Sequence, residues 1–116
     1  MKIFVDLIIA AIDLTKNEKK VIILEDGLPC REVNDDLDCV YKKLFSELAN
    51  VSPDYPDYVL VSAYKQSDEV HIVYACMIPE TIKIKKAEWR NISNVQNDSE
   101  FSLDGKKAIY EAAYRI

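Results

Sequence analysis

The chain has 116 residues, of which 49% are hydrophobic and 30% charged, with a formal net charge of −5. That is enough apolar material for one core and one domain spanning 1–116, while the acidic balance argues against a broad nucleic-acid surface, which should be basic. The only glycines are Gly27 and Gly105, so the phosphate-cradling loops that need several glycines are excluded.

Along the chain, Ile3–Ile12 is apolar at alternating and intervening positions alike, with Asp6 as its one interruption. This pattern predicts a central strand covered on both sides. The start has a superficial likeness to a signal peptide, but Asp6 breaks the apolar run early and no cleavage-like site follows. No run approaches the length of a membrane span. Leu14–Lys20 reads as a polar turn and Val21–Leu24 as a second, β-branched strand. Gly27-Leu28-Pro29 then breaks the strand, and a short polar loop leads to a helix starting near Asn34 or Asp35, either of which suits an N-cap. Leu37, Val40, Tyr41, Leu44 and Leu48 form its apolar stripe, with Asp36, Lys42, Lys43, Ser46 and Glu47 off it.

Ser52–Asp57 is a loop held by two prolines. Tyr58–Tyr64 and Val70–Ile78 then read as an antiparallel hairpin joined by Lys65–Glu69. Thr81–Lys85 alternates as an exposed edge strand would. Trp89 reads as core, ahead of a short apolar turn around Ile92 and Val95. After a polar loop over 96–100, a closing helix from about Asp104 would bury Ala108, Ile109, Ala112, Ala113 and Ile116. Strands mixed with two main helices predict an α/β (α+β) domain built on a mixed sheet.

Cys30, Cys39 and Cys76 are odd in number and widely spaced, which predicts neither a disulfide framework nor a sequence-coded zinc site. A reducing cytoplasm is the expected compartment. His71 is the only histidine; with no second histidine or cysteine pair beside it, a bystander role is expected, and nothing in the spacing couples it to Cys30 or Cys39. Asp6 is costly inside an apolar strand unless it is paired. It is expected either to cap a neighbouring turn or meet a wet sheet edge, or to face a ligand. The tyrosines, Tyr55 and Tyr58 among them, are read as strand and core residues, with nucleobase stacking or an interface as the alternative.

The segment Val21–Val51 resembles the signature region of the Nudix superfamily, with its strand, a Leu-Pro at Leu28-Pro29 and the box helix over Leu37–Leu48. The opening strands around Val5–Ile8 and Val21–Leu24 look like those of ADP-ribose-type Nudix proteins and Nudix-related regulators. Glu88-Trp89 is similar to the segment before a late helix, and 101–116 to the closing helix. The resemblance implies an α/β/α sandwich. Its catalytic pattern is not kept. The paired glycines fall on Cys30 and Arg31. With Lys42 in the place of the box arginine, the metal carboxylates fall on Asn34, Lys43, Ser46 and Glu47, and the loop before the helix is a few residues short. Glu25 and Asp26 stand where a basic residue is often found.

Hydrolysis in this family uses Mg²⁺ held by several carboxylates. Here Glu47 alone remains as a metal-ligand remnant, and Lys43, one helical turn away, is placed to pair with it. The resemblance therefore implies a degraded metal site and a non-catalytic domain that binds a nucleotide-like small molecule or a protein partner, a homodimer included. No catalytic residue and no cofactor are expected. Asp6, Arg31, Glu32 and Glu47 are the candidate ligand-binding residues. One alternative is a divergent Mg²⁺-dependent hydrolase drawing on Asp35, Asp36 or Glu32. Another is the ligand-sensing part of a transcriptional regulator, although no winged-helix segment follows in this sequence. Neither nucleic acid nor membrane is an expected partner.

Overall fold

A computed structural model describes residues 1–13, 15, 18–24, 28–95 and 107–112. Six strands form one mixed sheet: β1 (Lys2–Asp13), β2 (Glu18–Ile23), β3 (Cys30–Glu32), β4 (Val59–Gln66), β5 (Glu69–Met77) and β6 (Glu88–Asn91). Helix α1 (Leu37–Leu48) follows β3, the short α2 (Ile92–Val95) follows β6, and residues 107–112 are helical. The expected α+β class is what folds.

The sheet runs β4-β5-β1-β2-β6. The long apolar β1 is central because both of its faces and both of its edges are covered. One edge pairs in parallel with β5, from Lys2↔Glu69 to Ala10↔Met77. The other edge is shared: β2 pairs antiparallel with its far end, Ala10↔Val21 to Asp13↔Glu18, and β3 with its near end, Phe4↔Glu32 to Asp6↔Cys30. Backbone bonds from Leu7 N–H to Pro29 O (2.9 Å) and from Val33 N–H to Ile3 O (2.8 Å) extend the β3 pairing. β2 thus gives way to β3 along β1, and the chain leaves β3 directly for α1.

The two faces of β1 bury different cores, as period-2 alternation requires. Val5, Leu7 and Ile9 pack with Ile22 under Val40, Tyr41, Leu44, Phe45 and Leu48 of α1. Ile8 and Ala10 pack with Val21, Val61, Val73 and Ala75 under Ala108, Ile109 and Ala112. The sheet is therefore sandwiched between α1 and residues 107–112. Of the expected closing helix, 104–106, Ala113 and Ile116 lie outside the described residues, as does the 96–100 loop.

Several boundaries differ from the sequence reading. Residues 18–20 belong to β2, where they pair with β1; Leu14, Lys16 and Asn17 of the expected turn lie outside the described residues. The hairpin turn is only Ser67–Asp68, since Gln66 still pairs with Glu69. Ser67 has φ +55°, at the first central position of a two-residue connection that favours positive φ. Helix α1 starts at Leu37, with Asp36 at the N-cap position and no side-chain cap bond. Phe45, fully buried, belongs to its apolar stripe as well.

Thr81–Lys85 is not an edge strand. Its alternation places Ile82 and Ile84 against the α1 core, and its backbone finishes the end of α1. Lys85 N–H donates to Leu48 O at 2.7 Å and Asn50 N–H donates to Lys83 O at 3.0 Å. The last carbonyls of a helix lack partners within it, so this segment of turn and bend serves as a cap. The outer edge of β2 is taken instead by β6, Lys20↔Asn91 to Ile23↔Glu88.

Candidate functional site

Two places gather chemistry-bearing side chains, one on each side of the sheet. The first lies where β3 passes into α1. Arg31 of β3 forms an ion pair with Glu47 of α1. Arg31 and Lys43 line a small cleft with Glu32, Asn34, Asp35 and Cys39, of about 90 Å³. Of the candidate ligand residues, Arg31 and Glu32 line the cleft beside the first half of α1, and Glu47, in the last turn of the helix, is tied to it only through Arg31. The expected pairing of Glu47 with Lys43 is corrected: the carboxylate meets the guanidinium from β3, whose fork matches a carboxylate better than an ammonium does.

Also on α1, Lys42 pairs with Asp54 at 3.0 Å. The hydrogen bond and charge of Asp54 hold its ammonium above the usual lysine range. Beneath α1, Tyr41 packs on Tyr58 (4.4 Å between ring centroids) and on Tyr74 (4.6 Å). Burial, joined by a hydrogen bond to Asp38, pushes the Tyr41 phenol up to about 12. Burial likewise pushes the Cys76 thiol up to about 12, so both stay neutral core members. Tyr55 is exposed.

Asp6 is elsewhere. It lies on the opposite face, 3% exposed, so the expected turn cap or wet edge is corrected to a buried pair. Its Oδ1 is 2.8 Å from His71 Nδ1, and Tyr64 Oη donates to its Oδ2 at 2.8 Å. Strand register produces this cluster. Cys30 lies opposite Asp6, His71 is partnered with Phe4 two residues away, and Tyr64 faces His71 across the hairpin. An irregularity between Leu60 and Ser62 admits Val61 as an extra residue and sets that last register.

The imidazole is sandwiched by Phe4 (5.2 Å) and Tyr64 (5.0 Å), both stacked on it. Its Nε2 reaches Glu69 Oε1 at 3.2 Å, and Cys30 Sγ lies 4.0 Å from Nδ1. Burial disfavours the cation, but the hydrogen bonds and charges of Asp6 and Glu69 outweigh it and raise the His71 pKa above its ordinary value. His71, Tyr64 and Cys30 were not singled out as site residues from the sequence. The available signal was the cost of Asp6, which demanded a partner from a neighbouring strand.

His71 and Cys30 do not make a nucleophilic couple. The ring nitrogen that faces the thiol, Nδ1, is held by Asp6 at 2.8 Å while Cys30 Sγ stands off at 4.0 Å, so it is engaged by a carboxylate and not offered to the sulfur as a base. What the cluster offers is a set of nitrogen, oxygen and sulfur donors. The Asp6, Cys30 and His71 donor atoms lie within 4.8 Å of one another, as do those of exposed Asp35, Asp36 and Cys39. Glu47 joins neither group. Among the described residues no helix is long and apolar enough to cross a membrane.

No protein-family model and no curated protein matches the chain at the level of sequence. Solved structures do match its fold. The Nudix domain of Shewanella oneidensis NrtR, in complex with ADP ribose, superposes with a TM-score of 0.73 at 15% identity, over 97% of this chain and 86% of that one. A MutT/nudix family protein from Listeria innocua gives 0.78 at 8% identity, over 98% and 92%. The C-terminal domain of mouse MUTYH, solved with human PCNA, gives 0.75 at 11% identity, over 96% and 86%. The chain has a Nudix-like fold.

Proposed function

We propose that this is a non-catalytic Nudix-like binding domain that takes a diphosphate-bearing, nucleotide-like ligand at the β3–α1 cleft without Mg²⁺. The observation that carries this reading is the pair of cations at that cleft. Arg31 and Lys43 line it beside the carboxylates of Glu32 and Asp35, and Glu47, the one carboxylate that the resemblance leaves from the family pattern, is engaged by Arg31. A Mg²⁺ site needs several hard oxygen donors in near-octahedral array. A guanidinium in place of the ion opposes the metal and favours the ligand's own phosphate oxygens, which Arg binds in bidentate fashion.

A volume of about 90 Å³ holds a phosphate-sized group, so the rest of a ligand lies outside the cleft. The ADP-ribose complex of the NrtR domain supports the choice of ligand class. A protein partner is the second reading. It is favoured by a separate apolar groove of about 390 Å³ at Ile12, Tyr55, Met77 and Pro79 and by the PCNA complex of the MUTYH domain. A divergent hydrolase would draw on Asp35, Asp36 or Glu32, and the Asp35–Asp36–Cys39 cluster does not include Glu47.

Thermal-shift titration with ADP-ribose and with inorganic diphosphate, each with and without Mg²⁺, tests the proposal. Stabilisation by both, independent of Mg²⁺ and abolished in Lys43→Glu, is the expected result. Mg²⁺-dependent turnover of a nucleoside diphosphate derivative, lost in Glu47→Gln, would overturn it.

A further inference from the structure

We infer that Asp6, Cys30 and His71 form a binding site for one Zn²⁺-class transition-metal ion, on the sheet face opposite the β3–α1 cleft. The three donors come from β1, β3 and β5, and the strand register holds them together independently of any loop. Imidazole nitrogen, thiolate sulfur and carboxylate oxygen are the three donor types Zn²⁺ accepts. The mixture disfavours Mg²⁺ and Ca²⁺, which require oxygen.

The surroundings are those of a built site. A ligating histidine almost always gives its other ring N–H to a carboxylate or carbonyl, which fixes its tautomer. His71 does this with Nε2 on Glu69 Oε1 at 3.2 Å, while Nδ1 faces Asp6 and Cys30. Ligating carboxylates are themselves hydrogen-bonded, and Tyr64 Oη holds the Asp6 oxygen that does not face the histidine. Phe4 and Tyr64 fix the plane of the ring.

The distances are close to those that a tetrahedral ion would set. Nδ1 and Oδ1 stand 2.8 Å apart, a hydrogen-bond length, with Sγ at 4.0 Å. Tetrahedral bonds of about 2.0–2.3 Å put N···O near 3.4 Å and N···S near 3.6 Å. The first pair opens and the second closes by roughly half an ångström, within the reach of small side-chain rotations. On binding, the Nδ1 proton and the thiol proton leave to solvent, and the sulfur binds as thiolate. Asp6 and His71 are buried while Cys30 is exposed, so the ion enters from the Cys30 side and keeps a fourth position for water.

The test uses the full chain, stripped with chelator and titrated with Co²⁺, then back-titrated with Zn²⁺. One equivalent of Co²⁺ should give tetrahedral visible bands and a thiolate-to-metal charge-transfer band, displaced by one equivalent of Zn²⁺. Cys30→Ser, at an exposed position that leaves the core intact, should abolish the charge-transfer band and weaken Zn²⁺ binding at least 100-fold, and Tyr64→Phe should weaken it about 10-fold. Cys39→Ser should change neither. Absence of a charge-transfer band in the unaltered protein, its survival in Cys30→Ser, or its loss in Cys39→Ser would each overturn the assignment. The last result would move the ion to the Asp35–Asp36–Cys39 group.

Discussion

The two faces of the sheet use charge in opposite ways. Under α1 the core is aliphatic and aromatic, and the ion pair at its border, Arg31–Glu47, keeps side-chain exposures of 39% and 54%. Under residues 107–112 the aliphatic core grades into a buried polar cluster, where Asp6 is 3% and His71 8% exposed. Exposed pairs are worth little because water competes for both partners. A buried pair is costly to break because the survivor has no solvent to fall back on. The same fold therefore keeps its adaptable charges beside the cleft and its committed ones within the opposite face.

The largest effect belongs to the aliphatic side. Phe45 is fully buried at the centre of the α1 contact, so Phe45→Ala should remove about 3–5 kcal/mol in urea unfolding. A loss below about 1 kcal/mol would mean that α1 is not the lid of this core. Next comes Asp6→Ala, which removes the buried carboxylate that accepts from the Tyr64 hydroxyl and faces His71 Nδ1. A loss of about 3 kcal/mol is expected, at the low end for a broken buried pair because His71 can shed its proton. A neutral result would reduce the contrast between the faces to one of shape alone.

Proton linkage gives a smaller effect with a definite sign. The folded pKa of His71 is raised, by Asp6 and Glu69 against burial; Cys30 and Tyr64 are its other polar neighbours. Its contribution is thus fully present below the unfolded value of about 6.5 and is lost as pH rises through the higher folded value. In chelator, stability should fall as pH rises above about 6.5 and through the higher folded value of His71. His71→Gln should flatten that slope. An unchanged slope in the variant would assign it to other groups.

These contrasts also mark what could be read from the chain. β1, β2, α1 and the β4–β5 hairpin each carry a periodic signal several residues long. β3 and β6 span three and four residues, too short for alternation to show, and they form because β1 and β2 offer open edges. Thr81–Lys85 misled for a related reason: Ile82 and Ile84 alternate to meet a helix and not a sheet. Arg31, Glu32 and Glu47 were legible as candidates because they flank one turn and one helix. The cluster around Asp6 was not, since His71 and Tyr64 lie 65 and 58 positions away, and it takes the parallel β1–β5 register and the β4–β5 hairpin together to bring them to it.

The smallest stability effect is the most informative about the cleft. Glu47→Gln removes one charge of an exposed pair and should shift unfolding by less than about 1 kcal/mol. It also releases the Arg31 guanidinium, which then meets a diphosphate without a competing carboxylate. Stability should hardly change while affinity for inorganic diphosphate rises, read by titration calorimetry without Mg²⁺. In a metal-dependent site the same substitution would remove a ligand, so that diphosphate binding would weaken and only in the presence of Mg²⁺. The sign of one affinity change thus separates a site that uses its own cations from one that borrows a metal's.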